Sequence, residues 1–269
     1  MLCAGEDVKM RCTVCGGDGC QKAYDLYDDR FGYKGVFKLG KCNSCGHKFL
    51  EGEFKPEMLV ALYSNYDRRS EFDIENYQPY KEIGRFKAWL DGEYSFAFRW
   101  VPKNVRVLDI GCGFGETLGY HKARGCDVYG VEVDANIHRV AERFGYKVHV
   151  GLFDSGLYEE NFFDYVTMDQ VVEHTTDPIE VLKGLAKILK PGGHAVISLP
   201  NSNGWGVRVF GLAEQRLHGV VAAHVNRGWV CRGGGLVITI SLPRAGACAA
   251  HLAESGDHRA GWRVCAAAE

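Results

Sequence analysis

Short apolar runs alternate with amphipathic segments over residues 105–199. A short apolar run predicts a buried strand, and apolar residues that recur every three or four positions predict a helix. The predicted strands cover residues 105–110, 127–133, 146–150, 163–168 and 194–199. The predicted helices between them cover residues 116–123, 135–144 and 178–189. Five strands with interposed helices predict an α/β fold with a doubly wound, mostly parallel sheet.

Two regions with other patterns precede this domain. Residues 1–52 are rich in glycine and cysteine and contain two strand candidates, at 36–39 and 47–50. Residues 53–102 are predicted to form a helical linker, with a first helix followed by a second over 80–98. The second helix would bury one apolar face, formed by Ile83, Phe86, Leu90, Tyr94 and Phe98.

The composition of the chain changes near residue 211. Residues 212–269 contain twelve alanines but no phenylalanine or tyrosine, although the preceding chain is rich in both aromatic residues. One strand at most is predicted there, over 236–242. We therefore predict an α/β domain over 103–211 and an atypical tail, which is either disordered or foreign to the fold.

Overall charge and hydrophobicity are ordinary for a globular protein. The formal net charge is -2, with 46% hydrophobic and 25% charged residues. A nucleic-acid partner is not expected, because the chain has no strongly basic field. No apolar run approaches the roughly 18 residues of a membrane span, and the first residues lack a signal-peptide pattern. We predict a cytoplasmic protein without a membrane partner, and the pattern leaves the oligomeric state open.

Two CxxC motifs, separated by 26 residues, predict a metal site near the start of the chain. A reducing compartment disfavours structural disulfides, and zinc prefers four soft ligands in a tetrahedron. The predicted zinc ligands are Cys12, Cys15, Cys42 and Cys45. Cys20 and His47 are possible substitute ligands. A structural zinc ion would contribute much of the folding energy of so small a module.

A glycine-rich loop, VLDIGCGFG at residues 107–115, follows the first strand of the α/β domain. Its glycines allow a sharp turn and a close backbone approach to a ligand at the start of a helix. The dinucleotide fingerprint would place its third glycine at position 116, but Gly115 comes one residue early and Glu116 stands there. A carboxylate at this position repels a pyrophosphate and tolerates a ligand with a cationic sulfonium and an amino group.

The second strand ends in GVEVD, and Glu132 lies 21 residues after Gly111. This spacing is typical of a strand-end carboxylate that accepts hydrogen bonds from both hydroxyls of a ribose. Asp134 is the alternative, although it lies beyond the predicted end of the strand.

VLDIGCGFG, GVEVD, FDYVTMDQVVEH and LKPGG resemble successive motifs of class I S-adenosylmethionine-dependent methyltransferases, and they cover residues 105–200. The resemblance implies a Rossmann-like sheet that is completed by a sixth strand and an antiparallel seventh. Because the tail offers one candidate strand at most, we expect the C-terminal strands to be incomplete. The CxxC pairs resemble a zinc ribbon that is fused ahead of some bacterial methyltransferases.

The same resemblance implies roles for individual residues. The loop glycines would pass under the methionine part of the cofactor, Asp109 would hold the loop, Glu132 would bind the ribose, and Asp154 would meet the adenine amino group. The complete predicted cofactor site comprises Asp109, Gly111, Cys112, Gly113, Gly115, Glu132, Asp154 and Asp169.

The predicted catalytic base lies after the fourth strand of the α/β domain. Ligands of open α/β sheets bind outside the carboxyl ends of the strands, and a histidine titrates near neutral pH. His174 is therefore the candidate base, with a packing or capping role as the alternative. The segment also resembles the E-x-x-E-H stretch of quinone-type O-methyltransferases, which can hold a divalent metal. Gln170 replaces the first acid of that stretch, so no metal is predicted there.

The sequence thus predicts a methyltransferase that modifies an oxygen or carbon atom of a small molecule or sugar. One alternative is an RNA or protein methyltransferase that reads its substrate through the ribbon, although aspartates interleave with the ribbon's basic residues. A second alternative is a non-catalytic protein that only binds S-adenosylmethionine.

Overall fold

The computed structural model describes residues 11–12, 14–26, 36–50, 57, 73–90, 96–200, 235–241 and 263–265. These residues form two β-sheets, one of three strands and one of seven. None of the helices in these ranges is long and apolar enough to cross a membrane.

The three-stranded sheet is antiparallel and lies near the start of the chain. It contains β1 (Cys20–Leu26), β2 (Phe37–Cys42) and β3 (Lys48–Leu50), in that order. The two predicted strands are confirmed as β2 and β3. The sequence pattern did not predict β1, which pairs Cys20 with Cys42.

The seven-stranded sheet has the order β10-β9-β8-β7-β4-β5-β6. Its strands are β4 (Arg106–Ile110), β5 (Asp127–Glu132), β6 (Lys147–Val150), β7 (Phe163–Asp169), β8 (Leu189–Pro200), β9 (Gly235–Ser241) and β10 (Arg263–Cys265). The helices are α1 (Arg85–Leu90), α2 (Glu116–Ala123), α3 (Ile137–Phe144) and α4 (Pro178–Ile188). Strands β4 to β8 are parallel, which confirms the predicted α/β fold with a mostly parallel sheet.

The predicted start of α4 is also confirmed. Asp177 caps the helix and accepts hydrogen bonds from the backbone N–H groups of Ile179 and Glu180, and Pro178 occupies the first turn. Residues 191–193, which precede the strand predicted over 194–199, lie within β8. Between the pairs Phe163–Leu189 and Tyr165–His194 the register shifts, so these residues form an irregularity in the strand.

The tail contributes two strands to the large sheet. The predicted strand over 236–242 is confirmed as β9, which pairs antiparallel with β8 from Pro200 to His194. The expectation of one strand at most is wrong, because β10 pairs antiparallel with β9. The other tail residues lie outside the described ranges, so the proposal that the tail is disordered or foreign stays a prediction.

The linker differs from its predicted form. In the described part, the second helix is limited to α1, and residues 77–84 have no regular secondary structure. The predicted apolar face is not buried, since Phe86 and Leu90 are 73% and 61% exposed. Phe98 is buried in a separate short 3-10 helix. A tertiary contact accounts for this difference at the start of the predicted helix: the Tyr80 backbone N–H donates to the Glu116 carbonyl of α2. The first linker helix falls almost entirely outside the described residues.

The large sheet has a hydrophobic cluster on each face. Because side chains alternate along a strand, Val107 belongs to one cluster and Leu108 to the other.

The fully buried His121 of α2 packs against the rings of Phe98 and Tyr120. Neither of its ring nitrogens has a hydrogen-bond partner in the described part of the chain. Burial, with the Arg124 charge, lowers its pKa to about 3.

We expect His121 to destabilise the fold in mild acid. Below pH 6.5 the unfolded chain binds a proton at this histidine, whereas the folded chain does not bind one until about pH 3. The free energy of unfolding should therefore fall by about 2 kcal/mol between pH 7.5 and pH 5 through this residue alone. Urea titrations of the wild type and of His121→Leu at both pH values measure the difference. An equal loss of stability in both proteins would contradict the prediction.

Candidate active site and metal centre

The glycine loop connects β4 to α2 at the carboxyl end of the sheet. Gly111, Gly113 and Gly115 have φ angles of 73°, 59° and 85°, in the left-handed region that favours glycine. The Gly111 N–H donates to the Val131 carbonyl at 2.8 Å. A Cβ atom on Gly111 would clash with the Val171 side chain. The loop is thus confined between β5 and the segment that follows β7.

Glu132 ties this loop to the end of β5. Its carboxylate is buried and accepts a hydrogen bond from the Gly113 N–H at Oε2, at 2.8 Å. The N–H groups of Val133 and Asp134 donate to Oε1, at 2.9 and 3.1 Å. A carboxylate has about four acceptor positions, so Glu132 can accept several hydrogen bonds at once. The alternative residue, Asp134, instead accepts hydrogen bonds from Asn136.

Asp109, in the strand that precedes the glycine loop, connects this strand to two neighbouring elements. It is buried, and the hydroxyl groups of Thr117 and Thr167 donate to its carboxylate. Burial raises its pKa to about 7, although the two hydroxyl groups oppose that shift. Because these partners lie on α2 and β7, Asp109 joins three elements beneath the loop.

Three other residues of the predicted cofactor site have side chains that contact other residues of the protein. The Cys112 thiol is buried, and a Cβ atom on Gly130 would lie 2.8 Å from its sulfur. Asp154 is exposed and caps a short 3-10 helix by accepting the Gly156 N–H at 2.8 Å. Asp169 accepts the N–H groups of Ala97 and Phe98, at 2.6 and 3.3 Å. At Cys112 the backbone is therefore the part that could face a ligand.

The segment after β7 turns sharply at Gln170, which has a φ angle of 53°. The Gln170 side chain donates to the Ser198 hydroxyl at 2.9 Å. A short 3-10 helix, Val172–His174, then places His174 half-buried. This helix lies beside the glycine loop, since Val171 packs against Gly111.

Glu173 is a candidate acid–base residue that the sequence analysis did not single out. It is 3% exposed, and its Oε2 atom has no hydrogen-bond partner among the described residues. Burial and, to a smaller extent, the neighbouring Asp169 charge raise its pKa to about 7. A signal was present in the sequence: the carboxylate directly follows Val171 and Val172 in a segment predicted to lie at the strand ends.

The four predicted zinc ligands lie together. The sulfur atoms of Cys12, Cys15, Cys42 and Cys45 are all within 4.8 Å of one another. The distance from Cys12 to Cys45 is 3.6 Å, and that from Cys15 to Cys42 is 3.5 Å. A tetrahedral site with zinc–sulfur bonds of about 2.3 Å places its sulfur atoms about 3.8 Å apart. The thiols therefore fit such an ion, and Cys20 and His47 are not part of the cluster.

Backbone N–H groups favour the ionised form of one thiol in this cluster, Cys42, whereas burial raises the pKa of the Cys12 and Cys45 thiols. Each CxxC motif is followed by a glycine of positive φ, Gly16 or Gly46, whose N–H donates back to the first cysteine's carbonyl. Backbone N–H groups of Cys45 and Ser44 lower the pKa of the Cys42 thiol to about 6. Thiolates are the form that binds zinc.

The chain was compared with known proteins. Residues 82–238 match the model of a family described as "Methyltransferase domain". A ubiquinone biosynthesis O-methyltransferase from Pectobacterium atrosepticum is 30% identical over 175 residues, which are 52% of this chain and 70% of that protein. The protein of the same name from Idiomarina loihiensis is 29% identical over 192 residues, which are 61% and 74% of the two chains.

A crystal structure of a methyltransferase dependent on S-adenosylmethionine, from Aquifex aeolicus, has a TM-score of 0.34 and 20% identity. It covers 56% of this chain and 76% of that one. The family model matches more than half of the chain, and the Pectobacterium atrosepticum relative is matched over more than two thirds of its length. The chain belongs to the methyltransferase-domain family and is a class I S-adenosylmethionine-dependent methyltransferase.

Proposed function

We propose that this enzyme methylates a hydroxyl oxygen of a small molecule. The observation that carries the proposal is the buried Glu132 carboxylate at the end of β5, which accepts a hydrogen bond from the Gly113 N–H of the glycine loop and is the type of group that binds ribose hydroxyls. Asp109 fixes the loop from below, and the loop backbone faces the ligand. The proposed cofactor site comprises Asp109, Gly111, Cys112, Gly113, Gly115, Glu132, Asp154 and Asp169.

The relatives support the choice of an oxygen acceptor. Both are ubiquinone biosynthesis O-methyltransferases, enzymes that by name methylate oxygen in a small-molecule pathway. Carbon methylation and a sugar acceptor are alternative outcomes of the acceptor test below.

In this reaction the protein must mainly align the acceptor hydroxyl with the methyl group and accept a proton. S-adenosylmethionine supplies a methyl group that its positive sulfonium already activates. As the acceptor oxygen bonds to the methyl carbon, the carbon–sulfur bond breaks, and the hydroxyl proton leaves to a base. Alignment of the reacting groups removes a large part of the barrier. We propose His174 as the base, with Glu173 as the second candidate beside it.

Variants of these two residues test the base. His174→Gln should lower kcat about 100-fold or more, because it removes proton acceptance in the rate-determining step. The affinity for S-adenosylmethionine, measured by calorimetry, should stay unchanged. Glu173→Gln tests the second candidate in the same way, and a larger kcat loss in that variant than in His174→Gln would assign the base to Glu173. If neither variant changes kcat more than about threefold, both assignments fail.

An acceptor panel tests the reaction itself. The purified chain would be incubated with methyl-labelled S-adenosylmethionine and with phenols, catechols, sugars, RNA or protein. Label on a small-molecule oxygen supports the proposal. Label on RNA or protein would favour an RNA or protein methyltransferase that recognises its substrate through the ribbon. Cofactor binding without any methyl transfer would favour a non-catalytic protein.

We further propose that the N-terminal ribbon holds a structural zinc ion in a reducing, cytoplasmic compartment. The four clustered thiols support zinc, and zinc–thiolate sites suit compartments in which disulfides do not persist. Charges of both signs on the ribbon support a structural role rather than nucleic-acid reading. The exposed Arg11, for example, lies 3.6 Å from Asp18.

A further inference from the structure

A short segment before the α/β domain packs onto the helices that follow the glycine loop. We call residues 73–80 the strap. Tyr77 of the strap is 8% exposed and belongs to the same hydrophobic cluster as α2 and α3. Its ring lies 4.7 Å from the ring of Phe144. The strap is therefore part of the core of the cofactor-binding domain.

The Tyr77 hydroxyl reaches the last glycine of the loop. It donates a hydrogen bond to the Gly115 carbonyl at 2.6 Å and lies 3.1 Å from the Tyr146 hydroxyl. A carbonyl only accepts, so the single hydroxyl proton of Tyr77 goes to Gly115. The Tyr146 hydroxyl then donates to Tyr77. The two tyrosines form a buried chain that ends on the loop.

This hydrogen bond fixes a peptide plane at the start of α2. The Gly115 carbonyl also accepts the Gly119 N–H at 2.9 Å, so two donors hold its direction. In a planar trans peptide the C=O and N–H groups point in opposite directions. Tyr77 thereby directs the Glu116 N–H away from the strap. That N–H belongs to the first turn of the helix, and backbone N–H groups of a first turn can face a ligand.

Other contacts hold the strap independently of Tyr77. The Tyr80 N–H donates to the Glu116 carbonyl at 3.1 Å. The Glu75 carboxylate pairs with both terminal nitrogens of Arg143, at 2.7 and 3.3 Å. A Cβ atom on Gly119 would clash with Pro79 and lie 2.7 Å from the Tyr146 hydroxyl. The close approach thus requires glycine inside α2, where an alanine would otherwise be more stable.

We propose that Tyr77 is a positioning residue for the cofactor, and that the strap is a component of the S-adenosylmethionine site. The proposal rests on cofactor binding by this family and is independent of the acceptor. Tyr77 fixes the orientation of the peptide between Gly115 and Glu116. Without its hydroxyl, the glycine backbone of the loop samples more conformations, and cofactor binding must order it again.

Two single-hydroxyl variants separate positioning from packing. Tyr77→Phe removes the donor to Gly115, whereas Tyr146→Phe removes a neighbouring buried hydroxyl and leaves that donor in place. We expect similar small losses in the urea midpoint of both variants. The dissociation constant for S-adenosylmethionine should rise about fivefold in Tyr77→Phe and less than twofold in Tyr146→Phe. Amide exchange in the ligand-free protein should accelerate at residues 111–116 in Tyr77→Phe only.

Equal changes in affinity for the two variants, or unchanged affinity and exchange in Tyr77→Phe, would overturn the proposal. Neither measurement uses an acceptor, so a failure of the O-methylation proposal leaves both readouts intact. Amide exchange needs no cofactor, so it decides whether Tyr77 orders the loop even if the affinity change is small.

Discussion

Replacing Cys42 with serine should release the proposed zinc ion and unfold the three-stranded ribbon. Metal binding contributes on the order of 10–16 kcal/mol to folding in small zinc modules. The ribbon has little else to stabilise it, because its buried apolar residues among those described are Cys12, Leu39 and Cys42. Elemental analysis should give one zinc per chain for the wild type and less than about a tenth of that for the variant.

Cys20→Ser is the matched control for this substitution. Cys20 pairs with Cys42 across β1 and β2, yet it is outside the four-thiol cluster. The control should keep its zinc and stay resistant to limited proteolysis in the ribbon. If Cys42→Ser retained a full complement of metal, or if the purified wild type carried none, the ribbon would not be a zinc site.

The alternation of apolar runs and helical periods predicted the parallel part of the large sheet. Strands β4, β5, β7 and β8 are largely buried, and buried parallel strands have continuous apolar sequences that can be recognised locally. The glycine loop could likewise be predicted from the sequence. Its constraint is local, since a residue such as Gly115 needs a positive φ angle regardless of what packs around it.

Features that depend on contacts between distant residues could not be predicted in this way. The helix over 80–98 has a helical period in sequence, but Tyr80 is held by Glu116 of α2, and Phe86 is left exposed. The hydrogen bond between Tyr77 of the strap and Gly115 joins residues that are 38 positions apart in the sequence. Likewise, the burial of Glu173 follows from the elements packed around a short turn, which no period along the chain reveals.

Glu132→Ala should weaken binding of S-adenosylmethionine at least about 100-fold. The substitution removes the acceptor for the ribose hydroxyls, and each hydrogen bond to a charged group contributes about 1.5–3 kcal/mol. It also frees the Gly113 N–H, which Glu132 holds at 2.8 Å. Glu132→Gln should have an intermediate effect, because the amide keeps one acceptor oxygen but places a donor NH₂ among backbone N–H groups. Calorimetric titration with S-adenosylmethionine measures all three affinities.

Asp134→Asn is the control, since Asp134 lies two residues further on and bonds to Asn136 rather than to the glycine loop. Its affinity should stay within about threefold of the wild type. If Glu132→Ala bound S-adenosylmethionine as tightly as the wild type, the ribose would not be held at the end of β5. If Asp134→Asn lost the affinity instead, the carboxylate two residues later would be the ribose ligand, and the loop would be anchored for another purpose.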